Sequence, residues 1–277
     1  MTGRLEGKVA LITGAARGQG RSHALRLAEE GADIIALDIA AQVESAPYAL
    51  ATPEDLEDTA REIKARGRNV VTREVDVRDA EALTAAVNDG VAQLGRLDIV
   101  LANAGILSTG ASFELTEQAW TEMIDINLSG AWRTTKAAIP HMLAAGNGGS
   151  IIITSSIAGL IGQPGISHYV AAKHGLVGLM KTLALELAPA NIRVNAVHPT
   201  NVDTAMIMND ATYRIFLPEE ASPTREQFAT PAQALNALPI PWVETRDVTN
   251  AVLFLASDDA RYITGVSLPI DAGATIK

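Results

Sequence analysis

The stretch "VALITGAARGQG", residues 9–20, sets glycines at 14, 18 and 20 directly behind a short run of apolar residues. A strand that turns straight into a helix leaves the first helical N–H groups unpaired, and the helix dipole adds positive potential there. A pyrophosphate settles at such an end if no side chain obstructs it, and glycine supplies that clearance. Alone, the same letters also describe a plain tight turn. The rest of the chain decides between the two.

Further short apolar runs recur: "DIIALD" at 33–38, "NVVTREVDV" at 69–77, "DIVLANAG" at 98–105, "SIIITSS" at 150–156, "IRVNAVHP" at 192–199 and "VSLPID" at 266–271. Runs this short and this rich in valine and isoleucine suit strands buried on both faces of a parallel sheet. Between them lie amphipathic segments such as "RSHALRLAEEG" at 21–31 and "EALTAAVNDGVAQLG" at 81–95, each ending near a glycine able to cap a helix. The alternation runs through the whole chain. It predicts one doubly wound α/β (Rossmann) domain over residues 1–277 with a mainly parallel seven-stranded sheet. A long segment of about 201–245, rich in proline and scattered apolar residues, breaks the rhythm and reads as a substrate loop with short helices. A second break follows Asp38.

With 48% hydrophobic residues in 277, the chain has ample material for a large core. Its formal charge of −10 argues against non-specific nucleic-acid binding and against docking on an anionic membrane. The absence of cysteine removes disulfides, thiolate nucleophiles and cysteine metal sites. The opening "MTGRLEGKVALIT" carries no secretory pattern and no apolar run reaches membrane-spanning length, so a cytoplasmic location is the expectation.

Asp38 closes the second apolar run eighteen residues after Gly20, near the spacing of an acidic residue that binds an adenosine ribose. A carboxylate there accepts from both ribose hydroxyls and repels a 2′-phosphate, which favours NAD over NADP. Arg17 is the contrary note, since a guanidinium nearby would suit that phosphate. Tyr169 and Lys173, four apart in "SHYVAAKHGLVGLMKTLALEL", share one helix face. An ammonium beside a phenol, aided by the positive nicotinamide of an oxidised cofactor, favours the phenolate and lowers its pKa from near 10. Ser156, thirteen residues earlier, falls at the carboxyl end of a predicted strand, where ligands bind in this architecture.

These residues carry a resemblance. "TGAARGQG", "DV" at 76–77, "NAG" at 103–105, Asn127 in "MIDINLSG", Ser156 and "YVAAK" at 169–173 resemble the short-chain dehydrogenase/reductases over nearly the full length. The resemblance implies that Tyr169 is the catalytic acid/base, that Ser156 polarises the substrate oxygen and that Lys173 holds the nicotinamide ribose and tunes Tyr169. It implies that Asn127 distorts its helix and anchors a water linking Lys173 to solvent. Gly14, Arg17, Gly18, Gln19, Gly20, Asp38, Asp76, Val77, Asn103, Ala104, Gly105, Val202 and Thr204 would complete the cofactor site. The family's usual Pro-Gly after the sixth strand is Pro199-Thr200 here.

Shorter members pass from the aspartate quickly into the next helix. Here "DIAAQVESAPYALATPEDL", residues 38–56, delays it: Thr52 reads as the N-cap and Pro53 as the first helical residue, leaving an insertion of about 40–51. With "HPTNVDT" and the late loop, this resembles the carveol-dehydrogenase-like branch associated with the redox carrier mycofactocin. In that branch the insertion is expected to cover the NAD so that it stays between turnovers; the alternative is an ordinary surface loop over freely exchanging NAD. Tyr48 and Leu50 would then face a ligand or fill a local core.

The expected reaction is NAD-dependent interconversion of a secondary alcohol and its ketone. The apolar letters "MIM", "IF" and "LPIPW" of the late loop point to an apolar, cyclic or terpenoid substrate. A non-catalytic NAD sensor is the competing class, and it need not keep Asn127, Ser156, Tyr169 and Lys173 together. The family implies a homotetramer through helices around 116–144 and 167–187. The five histidines show no metal-ligand spacing, and His168, beside Tyr169, reads as a helix-surface residue ahead of the alternative that it lines the substrate pocket. Trp120, Trp132 and Met123 read as core or subunit interface.

Overall fold

The computed structural model describes residues 3–277; Met1 and Thr2, the start of the stretch read for a leader, lie outside the described residues. Seven strands form one sheet: β1 (Val9–Thr13), β2 (Asp33–Asp38), β3 (Val70–Glu74), β4 (Ile99–Ala102), β5 (Gly149–Thr154), β6 (Ile192–Pro199) and β7 (Ser267–Ile270). Their order is β3-β2-β1-β4-β5-β6-β7, and every pairing is parallel rather than mostly so. Each strand forms from one of the apolar runs, because both faces of the sheet are covered and period-two alternation is not required. β1 and β4 are buried at every position.

On one face lie α1 (Gly18–Glu29), α2 (Pro53–Ala65) and α9 (Thr245–Ala256), around a core of Ile12, Leu27, Ile34 and Leu253. On the other lie α3 (Ala80–Leu94), α5 (Gly130–Ala145) and α6 (Ser167–Leu187), around Leu11, Val87, Met142 and Met180. α2 begins as its sequence says: the Thr52 side chain accepts from the Asp55 N–H, the Asp55 carboxylate accepts from the Thr52 N–H, and Pro53 occupies the first turn. Strand order reverses between β1 and β4, which opens a crevice at the carboxyl ends of the strands. No helix among the described residues is long and apolar enough to cross a membrane.

The late segment holds two short helices, α7 (Asp210–Phe216) and α8 (Arg225–Ala234). Its ends are joined by a parallel bridge between Val202 and Val243. Its aromatic residues do not form a substrate box. Tyr213, Phe216 and Trp242 pack around Phe228 at ring separations of 5.0, 5.1 and 5.9 Å, with Ile207 and Met208 against them. The apolar letters there serve a satellite core, a use that composition does not distinguish from ligand binding.

Candidate active site

The phosphate loop is dictated by backbone geometry. Gly14 and Gly18 have φ of +69° and +55°, and a Cβ on Gly20 would lie 1.9 Å from the Gly14 carbonyl oxygen. These glycines, with Arg17 and Gln19, form one side of a cavity of about 390 Å³. Asp38, Asp76, Val77, Asn103, Ala104, Gly105, Tyr169, Lys173 and Thr204 line it as well. The buried Gln19 Oε1 has no protein partner. Val202 is buried in the core beneath and does not line the cavity, whereas Thr204 and Met206 do.

The two Asp38 carboxylate oxygens accept from the Ala16 and Ala40 N–H groups at 2.9 and 3.0 Å. A carboxylate offers about four acceptor positions, so each oxygen keeps room for a further donor. Arg17 points away from it. Its guanidinium donates to the Ala49 carbonyl and lies 5.8 Å from the centre of the Tyr48 ring. Segment 40–51 packs against the cavity. Val43, Ala46 and Tyr48 are buried with Val77, Ile106 and Ile126, and Val43, Tyr48, Leu50 and Ala51 form part of the cavity wall. The Tyr48 hydroxyl accepts the Leu107 N–H at 3.0 Å, while Gln42 binds three carbonyls of the segment itself. Burial pushes the Tyr48 phenol up to about 12.

Asn103 ties the crevice together: its amide donates to the Thr13 carbonyl at 3.0 Å and its oxygen accepts from the Thr154 hydroxyl at 3.2 Å. Asn127 sits behind the wall in a π-helical turn, Asp125–Ser129. It binds Ile106 twice, at 2.8 Å through its oxygen and 2.8 Å through its nitrogen. A side chain satisfied this way by a neighbouring loop holds the widened turn open, and such turns favour functional sites.

Tyr169 and Lys173 project from the first turns of α6. The Lys173 ammonium donates to the Thr154 carbonyl at 2.9 Å and lies 5.3 Å from the Tyr169 ring centre. Gly159 permits this approach, because a Cβ there would meet the Lys173 carbonyl oxygen at 2.7 Å. Ser156 adjoins Tyr169, its Oγ accepting from the Ala158 N–H at 3.1 Å. Burial pushes the Tyr169 phenol up to about 12, with the Ser156 hydroxyl pulling the other way. Burial also draws the Lys173 ammonium down to about 8. In these surroundings desolvation of the phenolate outweighs what the neighbouring ammonium contributes.

His168 corrects the surface reading. It is fully buried, with Nε2 2.9 Å from the Ser108 hydroxyl and Nδ1 unpartnered. Met123 is core, and its sulfur accepts from Asn127 at 3.1 Å. Trp120 and Trp132 stay 42% and 45% exposed, which excludes the core alternative. Sequence reading passed over Thr13, Thr154, Ser155 and Gly159. Only their adjacency to glycine-rich or serine-rich strand ends hinted at them.

A glycine-rich turn, a buried aspartate and a Tyr/Lys/Ser cluster meet at the switch point, and comparison with known proteins gives the class. The short chain dehydrogenase family matches residues 8–214, and the chain belongs to that family. Within it the chain is 58% identical to (−)-trans-carveol dehydrogenase of Rhodococcus erythropolis, over 99% of each. The crystal structure of carveol dehydrogenase from Mycobacterium avium in complex with NAD superposes with a TM-score of 0.99 at 56% identity, covering 100% of both chains. A short chain dehydrogenase from Mycobacterium paratuberculosis bound to NAD gives 0.92 at 44% identity, over 99% and 100%.

Proposed function

We propose that the chain oxidises an apolar, cyclic secondary alcohol of the carveol type to its ketone, using NAD held beneath residues 40–51. The observation that carries this reading is one cavity with two chemical ends. The glycine loop and Asp38 stand at one end, Tyr169 and Lys173 at the other, and Ser156 adjoins Tyr169. End-to-end similarity to carveol dehydrogenases supports the substrate class.

The residues fit NAD. The cradle at Gly20 excludes any side chain, the α1 N–H groups face the cavity end where a pyrophosphate would sit, and Asp38 keeps acceptor positions for ribose hydroxyls. A 2′-phosphate would meet the Asp38 carboxylate while Arg17 is engaged with Ala49 and Tyr48. NADP is thereby disfavoured. Bound NAD supplies the hydride acceptor and a nearby positive charge. Tyr169 removes the alcohol proton, Ser156 steadies the oxygen as it becomes a carbonyl, and Lys173 favours the Tyr169 phenolate. Asn127 holds the loop that shapes this end. Thr204 and Met206, which line the cavity, would help to hold the cofactor.

Segment 40–51 is the proposed retaining element, and a carrier such as mycofactocin would reoxidise the cofactor in place. A homotetramer through α5 and α6 is supported by the exposure of Trp132, Leu143 and Leu185. The test replaces residues 40–51 by a short glycine-containing turn and follows the loss of bound NADH fluorescence on adding excess NAD. The deletion should exchange faster than the wild type, since differences among related complexes lie mainly in off-rates. Equal rates would make the segment an ordinary surface loop.

A further inference from the structure

The β5–β6 ladder ends beside the active site. Its last backbone bond runs from the Ser155 N–H to the Val197 carbonyl at 2.9 Å. One residue further on, a side chain takes over. His198 is fully buried and its Nδ1 lies 2.7 Å from the Ser156 carbonyl oxygen. A carbonyl only accepts, so Nδ1 carries the proton and donates it. Nε2 is left as a buried acceptor with no protein partner. Ser156 is gripped at both of its oxygens, the carbonyl by His198 from the side and by the Gly159 N–H at 2.9 Å within the turn, and the hydroxyl by the Ala158 N–H.

We infer that His198 is a positioning residue of the dehydrogenase: its Nδ1–H fixes the Ser156 peptide so that the Ser156 hydroxyl stays aimed at the substrate oxygen beside Tyr169. The inference rests on the reading of Ser156 given above. It also accounts for the stretch "HPT". On its other flank Thr200, the residue in place of the family's glycine, donates from Oγ1 to Asn236 Oδ1 at 3.3 Å, and Asn236 in turn donates to the Ile240 carbonyl at 2.7 Å. Three residues therefore reach from the reacting serine to the late segment. A neutral imidazole suits this place. Lys173 and His174, both on α6, face it, and a proton on Nε2 would add a second buried cation; burial already holds His198 below the ordinary histidine value.

The test compares His198→Ala, His198→Asn and Ser156→Ala with the double variant His198→Ala/Ser156→Ala in the intact protein. His198→Ala should lower kcat by ~10-fold, the worth of one buried hydrogen bond, while KM and NAD binding followed by fluorescence stay near wild type. His198→Asn should recover most of the loss, because its amide N–H can reach the same carbonyl. In the Ser156→Ala background, removing His198 should cost nothing further. A ¹⁵N spectrum of the wild-type histidines should show His198 neutral with Nδ1 protonated even around pH 6, below the ordinary imidazole pKa. Undiminished kcat in a folded His198→Ala, additive losses in the double variant, or an Nε2–H tautomer would each overturn the inference. Should His198→Ala not fold, the asparagine variant and the spectrum decide. Wild-type turnover in Ser156→Ala would instead remove the reading of Ser156 itself.

Discussion

Lys173 is held where its chemistry requires it and where folding resists it. It is 4% exposed, bonded to the Thr154 carbonyl, and burial draws its pKa from 10.5 to about 8. At neutral pH the unfolded chain carries the same proton in water, so this drop costs the native state about 3 kcal/mol. Lys173→Met keeps the length of the side chain and removes the charge. The Thr154 carbonyl then loses its donor, a cost of about 1 kcal/mol. The net expectation is a gain of about 2 kcal/mol near pH 7, roughly 5 °C in the unfolding midpoint. The sign with pH follows from a lowered lysine. The native protein is penalised below about 8, and the penalty fades as pH rises from there toward 10.5, where the unfolded lysine also loses its proton. The advantage of Lys173→Met should fade over that window and reverse slightly at its upper end.

The assay is denaturant unfolding of nucleotide-stripped protein at fixed concentration, near pH 7 and again near pH 10, beside a turnover measurement. Turnover should fall by ~10² or more, since Tyr169 loses the cation that favours its phenolate. A variant less stable than wild type near pH 7 would refute the burial cost. A variant of equal stability at both pH values would show that Lys173 is better solvated than its surroundings imply. The expected outcome, a more stable and less active protein, is the trade that active sites commonly make.

Tyr169→Phe should lower turnover by ~10²–10⁴ while nucleotide binding persists, and the tyrosinate absorbance step near pH 12 in the nucleotide-free protein should shrink by the Tyr169 contribution. Full activity in that variant would remove Tyr169 from its role. Asp38→Ala should weaken NAD by roughly 10–10²-fold, the worth of hydrogen bonds to a charged group, and narrow the preference over NADP in fluorescence titrations. It should also lower the unfolding midpoint, because the Ala16 and Ala40 N–H groups lose their shared acceptor. Unchanged selectivity would mean that Asp38 serves only the backbone.

The features legible in the sequence are those with local or periodic causes. Val9–Thr13, Ile99–Ala102 and Gly149–Thr154 announce strands because burial on both faces leaves little room for polar letters. Thr52-Pro53-Glu54-Asp55 announces a helix start because capping is settled within four residues. What stayed hidden depends on partners far along the chain. Tyr48 meets Leu107 across 59 positions, and His168 meets Ser108 across 60; neither pairing leaves a period to read. Phe216 and Trp242 look like ligand-facing residues until both are seen to pack on Phe228. The burial that raises the Tyr169 phenol was hidden for a related reason. Spacing shows a cation one helical turn away, but not how much water the fold removes.

The loop after β4 joins the proposed retaining segment to the catalytic end. Ile106 is held by Asn127, the Leu107 N–H by Tyr48, Ser108 by His168, and the Gly110 N–H by the Gly165 carbonyl at 2.8 Å. Of the outward ties on segment 40–51, those from Arg17 and Gln118 lie near solvent and are worth little. The Tyr48 tie is different. Lifting the segment exposes Val43, Ala46 and Tyr48 and leaves the Leu107 N–H seeking water in a crowded crevice, a penalty of about 1–3 kcal/mol for the amide alone. Leu107 lies next to a residue pinned by Asn127 and one pinned by the immediate neighbour of Tyr169. Opening over the adenosine end therefore strains the backbone beside the reacting phenol. If segment 40–51 is the retaining element proposed, cofactor retention and catalytic geometry depend on the same few hydrogen bonds.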